Sequence, residues 1–346
     1  MAYFPSSPSP ASSVSVASPP IQTIRRPWLR RGVAALLVVT FLLTFVYSGI
    51  SLLGGILLAY VPPVPIRSTP AALGLDYRDV SFVSRGDQVQ LRGWFIPGVL
   101  PGGRLSAGRT IIMIHGSRQN RADTGIGLLQ LSGEMARHGF AVLAFDMRGM
   151  GESAPAPLSL GYYEQRDVLG AVDFLQSGPP PYPELGRPYA IAGWGGSLGA
   201  ASLLMAAARE PAIQAIVSDS AFADVTPLLE REVPKMSKLP EAFTPGILLA
   251  ARALYGIDYY ADRPVDVVAK IAPRPIFFIH GSADHYIPPS NEDVLVQAAK
   301  AGRDAHVTWW HVLGADHVQG YHKAGAAYIA RVVTFFTDTL GSDRSA

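Results

Sequence analysis

Cysteine is absent from all 346 residues. Its absence excludes disulfides, a thiolate nucleophile and zinc held by cysteine. It leaves the compartment open, because exported proteins need not carry disulfides. Charge is scarce as well: 16% of residues are charged, against 49% hydrophobic. Soluble domains carry about 25% charged residues, so the shortage points to a segment that faces lipid. The charge is also uneven. Residues 1–32 hold Arg25, Arg26, Arg30 and Arg31 with no acid and no Lys, which is +4. The chain as a whole is +2, so the remainder is 2 − 4 = −2. A near-neutral body has no electrostatic basis for binding nucleic acid.

What is present begins with PSSPSPASSVSVASPP at 5–20, too rich in Pro and Ser to bury a core. Residues 1–32 therefore read as a disordered basic tail. From Val33 to Tyr60 no charged residue occurs. These 28 positions give about 42 Å of helix at ~1.5 Å per residue, against a hydrocarbon layer of about 30 Å. The run predicts a transmembrane anchor at 33–60, with Trp28 and Tyr60 near the two interfaces. A cleavable signal would have a shorter apolar core and a small-residue cleavage site, which AYVPP does not offer. The arginines favour a cytoplasmic N-terminus, with everything after Tyr60 on the outer side. Richness in Ala, Gly and Arg points to a bacterial cytoplasmic membrane and its periplasmic face. VPPVPIRSTP opens a stiff linker, 61–78. Residues 79–340 suit one large α/β domain.

Within that domain, short runs rich in Ile, Val and Phe alternate with helical patterns. Strands are predicted at 79–84, 89–96, 110–115, 140–146, 188–194, 213–219, 275–281 and 306–312. Helices are predicted at 123–138, 163–176, 198–209, 291–302 and 321–340. RGDQ between the first two strands makes them an antiparallel pair. The alternation that follows implies βαβ crossovers, hence an eight-stranded, mostly parallel sheet with helices on both faces. Functional groups in such sheets collect at the carboxyl ends of the strands.

After PYAIAGW comes Gly195-Gly196-Ser197-Leu198-Gly199, a G-x-S-x-G turn between strand and helix. A serine there sits on a sharp turn that lifts its hydroxyl clear of the sheet. Small neighbours let adjacent backbone pass, and the helix from Leu198 aims its positive end at a developing oxyanion. The plainer alternative is a Gly-rich turn with a capping serine. A serine nucleophile needs a base, and the base an orienting acid, in the chain order Ser, Asp or Glu, His. Asp284 follows one strand and His317 the next, which satisfies the order. Asp219, after the sixth strand, is a second candidate acid, and His322 and His311 compete with His317. His285 and Asp316 read as loop residues. In TIIMIHGSRQNR, the Ser117 amide pairs with that of Leu198 as a candidate oxyanion hole, and His115 reads as a packing residue.

Together IHGSRQNR, FDMRGMGES, GWGGSLGAAS, IHGSADHYIPP and GADHV resemble the α/β-hydrolase superfamily, in its Bem46-like and serine-aminopeptidase-like branch, over roughly 79–338. The resemblance implies Ser197 as nucleophile, Asp284 as acid and His317 as base, with oxyanion N–H groups from Ser117 and Leu198. Asp146, Arg148 and Gly149, in the D-x-R-G-x-G-x-S loop, would be structural. The pattern departs at Gly196, where relatives carry a larger side chain, and at Ala200, where a second Gly is frequent. It also implies a short helical lid at about 222–270, with Phe243, Tyr255, Tyr259 and Tyr260 as candidate lining.

The reading is thus a membrane-anchored serine hydrolase with a small-molecule or lipid-like acyl substrate. No metal or organic cofactor is implied. Esterase, thioesterase, peptidase and acyltransferase chemistry all fit. The alternative from another class is a catalytically silent binding or scaffold protein at the membrane.

Overall fold

The computed structural model describes residues 1–3, 27–62, 64–261 and 263–341. They divide into two compact units, Met1–Val46 and Tyr47–Ala346. One 33-residue helix, α1 (Pro27–Ala59), contributes residues to both. It begins at Pro27 rather than Val33, so the end of the expected tail is helical. Proline is favoured in a first turn because its missing N–H has no partner there. The rest of that tail, 4–26, lies outside the described residues. In the first unit the helix exposes large apolar side chains, Phe41 and Phe45 among them. Among the described residues, α1 alone is long and apolar enough to cross a membrane.

The second unit is built on a sheet of eight strands. They are β1 (Arg78–Val83), β2 (Gln90–Ile96), β3 (Arg109–Ile114), β4 (Ala141–Asp146), β5 (Ala190–Gly196), β6 (Ile213–Asp219), β7 (Ile276–Gly281) and β8 (Val307–Val312). Their spatial order is β1-β2-β4-β3-β5-β6-β7-β8. β1 and β4 pair antiparallel with β2, and the other neighbours are parallel. Every expected strand is present, its ends displaced by at most two residues. A small hairpin, Gly98–Val99 against Leu105–Ser106, was not expected. β3, β4, β5 and β7 are buried along their whole length. Helices cover both faces there, which is why these strands read as unbroken apolar runs.

The remaining helices are α2 (Leu128–Arg137), α3 (Glu164–Ser177), α4 (Leu198–Ala207), α5 (Val225–Ser237), α6 (Thr244–Tyr255), α7 (Ser290–Lys300), α8 (Gly320–Ala324) and α9 (Ala326–Leu340). α2 and α9 pack on one face, and α3, α4 and α7 on the other. The helix expected at 321–340 is split into α8 and α9 at Gly325, whose φ of +48° breaks the ladder. The helix expected from 123 starts at Leu128, because Asp123 Oδ1 turns the chain by accepting the Gly125 amide. α5 and α6 lie between β6 and β7, where the insertion was expected. Asp224 caps α5 by accepting the Thr226 amide at 2.8 Å, and Gly256 ends α6 in the left-handed conformation. Segment 61–78 is no free linker: Ile66, Leu73, Leu75 and Tyr77 pack against the α2–α9 core.

Candidate active site

Ser197 stands between the last residue of β5 and the first of α4, with φ 55° and ψ −120°. A non-glycine residue holds such angles only when its surroundings impose them. Here the Ser197 amide donates to Asp219 O at 2.8 Å, and glycines crowd the turn. A Cβ on Gly195 would lie 2.5 Å from the Gly199 carbonyl carbon, and one on Gly199 2.5 Å from Ile114 O. The two outer glycines of G-x-S-x-G are therefore set by backbone approach. Gly196 has a packing reason too: Trp194 and Val318 already stand 3.1 Å from where its Cβ would be. Ala200 is fully buried.

His317 and Asp284 arrive in the loops after β8 and β7. Ser197 Oγ is 2.9 Å from His317 Nε2, and His317 Nδ1 is 2.8 Å from Asp284 Oδ2. These contacts join residues 120 and 33 positions apart in the chain. The Tyr286 ring packs edge-on against the imidazole, with centroids 5.1 Å apart. Asp284 Oδ1 accepts the Tyr286 and Ile287 amides at 2.9 and 2.8 Å.

Behind the carboxylate lies a residue that the sequence reading passed over. His280 Nε2 is 3.1 Å from Asp284 Oδ2 and 2.8 Å from Ile287 O. Both neighbours accept, so Nε2 carries the proton. Burial opposes ionisation of Asp284, but hydrogen bonds from His280 and His317 outweigh it and hold its carboxyl well below the usual range. Burial likewise works against a charged His280, while the contact with Asp284 raises it above its ordinary value. Beyond His280 sits Glu292, 2% exposed, its Oε2 3.7 Å from His280 Nδ1. Burial pushes this carboxyl up to about 8. One signal was available: His280 ends an apolar strand, where a polar side chain needs a buried partner.

The competing candidates are occupied elsewhere. Asp219 accepts the Tyr328 hydroxyl at 2.7 Å and the Ser220 hydroxyl at 2.8 Å, and burial raises its carboxyl. His311 faces Glu292 at 3.4 Å. His322 packs on Tyr321. Asp316 Oδ1 accepts the amides of His317 and His285, so it shapes the turn.

The loop after β3 brings the remaining parts. His115 is fully buried; its Nδ1 donates to Gly116 O at 2.7 Å, and its Nε2 accepts the Met147 amide at 3.0 Å. Burial lowers its pKa, so it pins the loop as a neutral ring. A Cβ on Gly116 would lie 3.6 Å from Ser197 Cβ, so the chain carrying the Ser117 amide passes beside the serine. The Leu198 amide opens α4 and has no partner within the helix. Asp146 pairs with Arg121, and Arg148 with Asp167 and Asp87, consistent with structural roles. Gly149 takes a φ of +70°. Among the described residues no three His, Asp or Glu could hold a metal ion.

Sheet order, elbow and loop positions define an α/β-hydrolase fold. Residues 132–343, more than half of the chain, match the model of the prolyl oligopeptidase family, and the chain belongs to that family. It is 29% identical over 240 residues to the uncharacterized protein YfhR of Salmonella typhi, covering 67% of this chain and 71% of that one. YfhR of Escherichia coli is 25% identical over 264 residues, 75% of this chain and 81% of its own. Among solved structures, the Pyrococcus furiosus esterase Pf2001 superposes with a TM-score of 0.64 at 24% identity, over 82% of this chain and 99% of that one. A puromycin-hydrolyzing peptidase of Mycobacterium tuberculosis does so with 0.60 at 17% identity, over 78% and 40%. These structural likenesses carry the fold.

Proposed function

We propose that the protein is a membrane-anchored serine hydrolase that cleaves an ester, thioester or amide carbonyl through an acyl-enzyme, with carboxylic esters as its main substrates. The observation that carries this reading is the unbroken chain from Ser197 Oγ through His317 to Asp284, at 2.9 and 2.8 Å. Ser197 Oγ attacks the carbonyl carbon as His317 Nε2 takes its proton. Asp284, held as a carboxylate, fixes the imidazole with Nδ1–H toward itself and stabilises the imidazolium. The Ser117 and Leu198 amides receive the developing oxyanion. His317 returns the proton to the leaving group, which departs and leaves the acyl-serine. Water, deprotonated by His317, then releases the acid and restores Ser197.

Membership of a peptidase family and likeness to an esterase support hydrolysis at a carbonyl. The length and apolar character of α1 support anchoring, and the flanking arginines a cytoplasmic N-terminus. The α5–α6 insertion is the proposed lid. The test is covalent labelling with a fluorophosphonate, mapped by peptide mass spectrometry. The expected result is a label on Ser197 that His317→Ala abolishes. A label at another serine, or none on folded protein, would overturn the assignment.

A further inference from the structure

The last turns of α1 pack along α6. Ser51, Gly55 and Ala59 recur every four residues and are buried, so they form one stripe on the helix. A Cβ on Gly54 would stand 2.6 Å from Ile247 Cγ1, and one on Gly55 2.9 Å from the Ala251 amide nitrogen. Gly246 in turn makes room for Ser51. Tyr47 closes the contact: its hydroxyl donates to Ala242 O at 2.9 Å, and its ring stacks on Phe243 at 4.9 Å. Close backbone approach through small residues is how helices pair in lipid.

The outer faces of the pair are mainly apolar and uncovered; the one charged side chain of α6, Arg252, is exposed near its C-terminal end and pairs with Asp258 at 3.2 Å. On α1, Leu53 and Leu57 are 58% and 59% exposed; on α6, Leu249 and Leu254 are 66% and 44% exposed. Depth follows from length. A hydrocarbon layer takes about 20 residues of helix, and the uncharged run is 33–60. Every window of that size within the run includes 41–52, hence Tyr47 and Ser51. Their partners on the α6 side, Phe243 and Gly246, lie at the same level.

We propose that α6 is seated beside α1 in the acyl–headgroup boundary of the bilayer, with the exposed apolar side chains of both helices against lipid. The occupant of the exposed α6 face is then lipid, as for interfacial helices generally. This inference rests on the anchored-hydrolase reading, and the experiment separates the two. The chain has no cysteine, so single replacements take one fluorescent nitrobenzoxadiazole label each. Phe41→Cys reports the anchor, Leu249→Cys the lid, and Arg303→Cys the aqueous surface. The full chain is reconstituted in phosphatidylcholine–phosphatidylglycerol vesicles and quenched with doxyl-labelled lipid. Expected is a blue-shifted probe at 249, quenched at least twofold more than at 303, with the probe at 41 quenched as well. If 41 is quenched and 249 behaves like 303, the lid faces water and the inference fails while anchoring stands. A blue-shifted but unquenched probe at 249 means that protein, such as a second copy, covers α6, which also overturns it. An unquenched probe at 41 removes the anchor itself, and this inference with it.

Discussion

Replacing Asp284 by asparagine changes one oxygen into an amide nitrogen, and the surroundings dictate where that nitrogen goes. Oδ1 accepts two backbone amides, from Tyr286 and Ile287. Those donors are fixed, so the new carbonyl oxygen must stay with them. The –NH2 group then occupies the place of Oδ2, facing His317 Nδ1 at 2.8 Å and His280 Nε2 at 3.1 Å. It can donate to His317 Nδ1 only if that nitrogen is bare. The imidazole proton then moves to Nε2, pointing at Ser197 Oγ, and the base has lost its lone pair. In Ser-His-Asp enzymes the corresponding exchange costs about 10⁴ in kcat, or ~5.5 kcal/mol of transition-state stabilisation. The –NH2 group also meets the His280 N–H, a donor–donor contact that costs roughly 1–3 kcal/mol of stability. For Asp284→Asn we therefore expect kcat on a soluble ester to fall about 10⁴-fold with KM little changed. Fluorophosphonate labelling should slow in parallel, and circular dichroism should show an intact fold. A kcat within tenfold of wild type, in a folded variant, would refute the reasoning and return the orienting role to another acid. Asp219→Asn is the control, expected to change kcat by less than tenfold because its oxygens serve Tyr328 and Ser220.

Three further outcomes are expected. Ser197→Gly should abolish labelling yet raise the melting temperature by about 2–4 °C, because glycine relieves roughly 1 kcal/mol of strain at φ 55°; a lowered melting temperature would contradict a strained elbow. Glu292, pushed up to about 8, keeps its proton in the folded state across the window in which the unfolded chain loses it. Stability therefore falls as pH rises between the unfolded value of about 4.3 and the folded one, and melts of wild type and Glu292→Gln should diverge in the variant's favour by roughly 2 kcal/mol from pH 5.5 to 7.5. A gap that is constant with pH would show that the carboxyl is not raised. Arg121→Met removes the side-chain partner of fully buried Asp146, and urea denaturation should register a loss of about 3–5 kcal/mol; a loss under 1 kcal/mol would mean that the Arg121 and Glu152 amides, which donate to Asp146 at 2.7 and 2.9 Å, satisfy it alone.

Much of this was legible in the chain because its cues are local. The runs that became β3, β4, β5 and β7 were legible because a strand buried on both faces must be apolar throughout. The elbow was visible as glycines at 195 and 199, because backbone approach there leaves no room for a Cβ. Chain order singled out Ser197, Asp284 and His317 as candidates, but order cannot rank acids. Asp219 and Asp284 both follow strands, and which carboxylate faces the imidazole depends on hydroxyls from Tyr328 and Ser220 that are distant or unremarkable in sequence. His280 and Glu292 acquire meaning only where β7 and α7 pack together. The apolar length of α1 was written in the sequence, whereas its pairing with α6 through Gly54, Gly55 and Gly246 was not. A run of side chains reports how much surface must leave water; which surface meets which is settled by close packing in three dimensions.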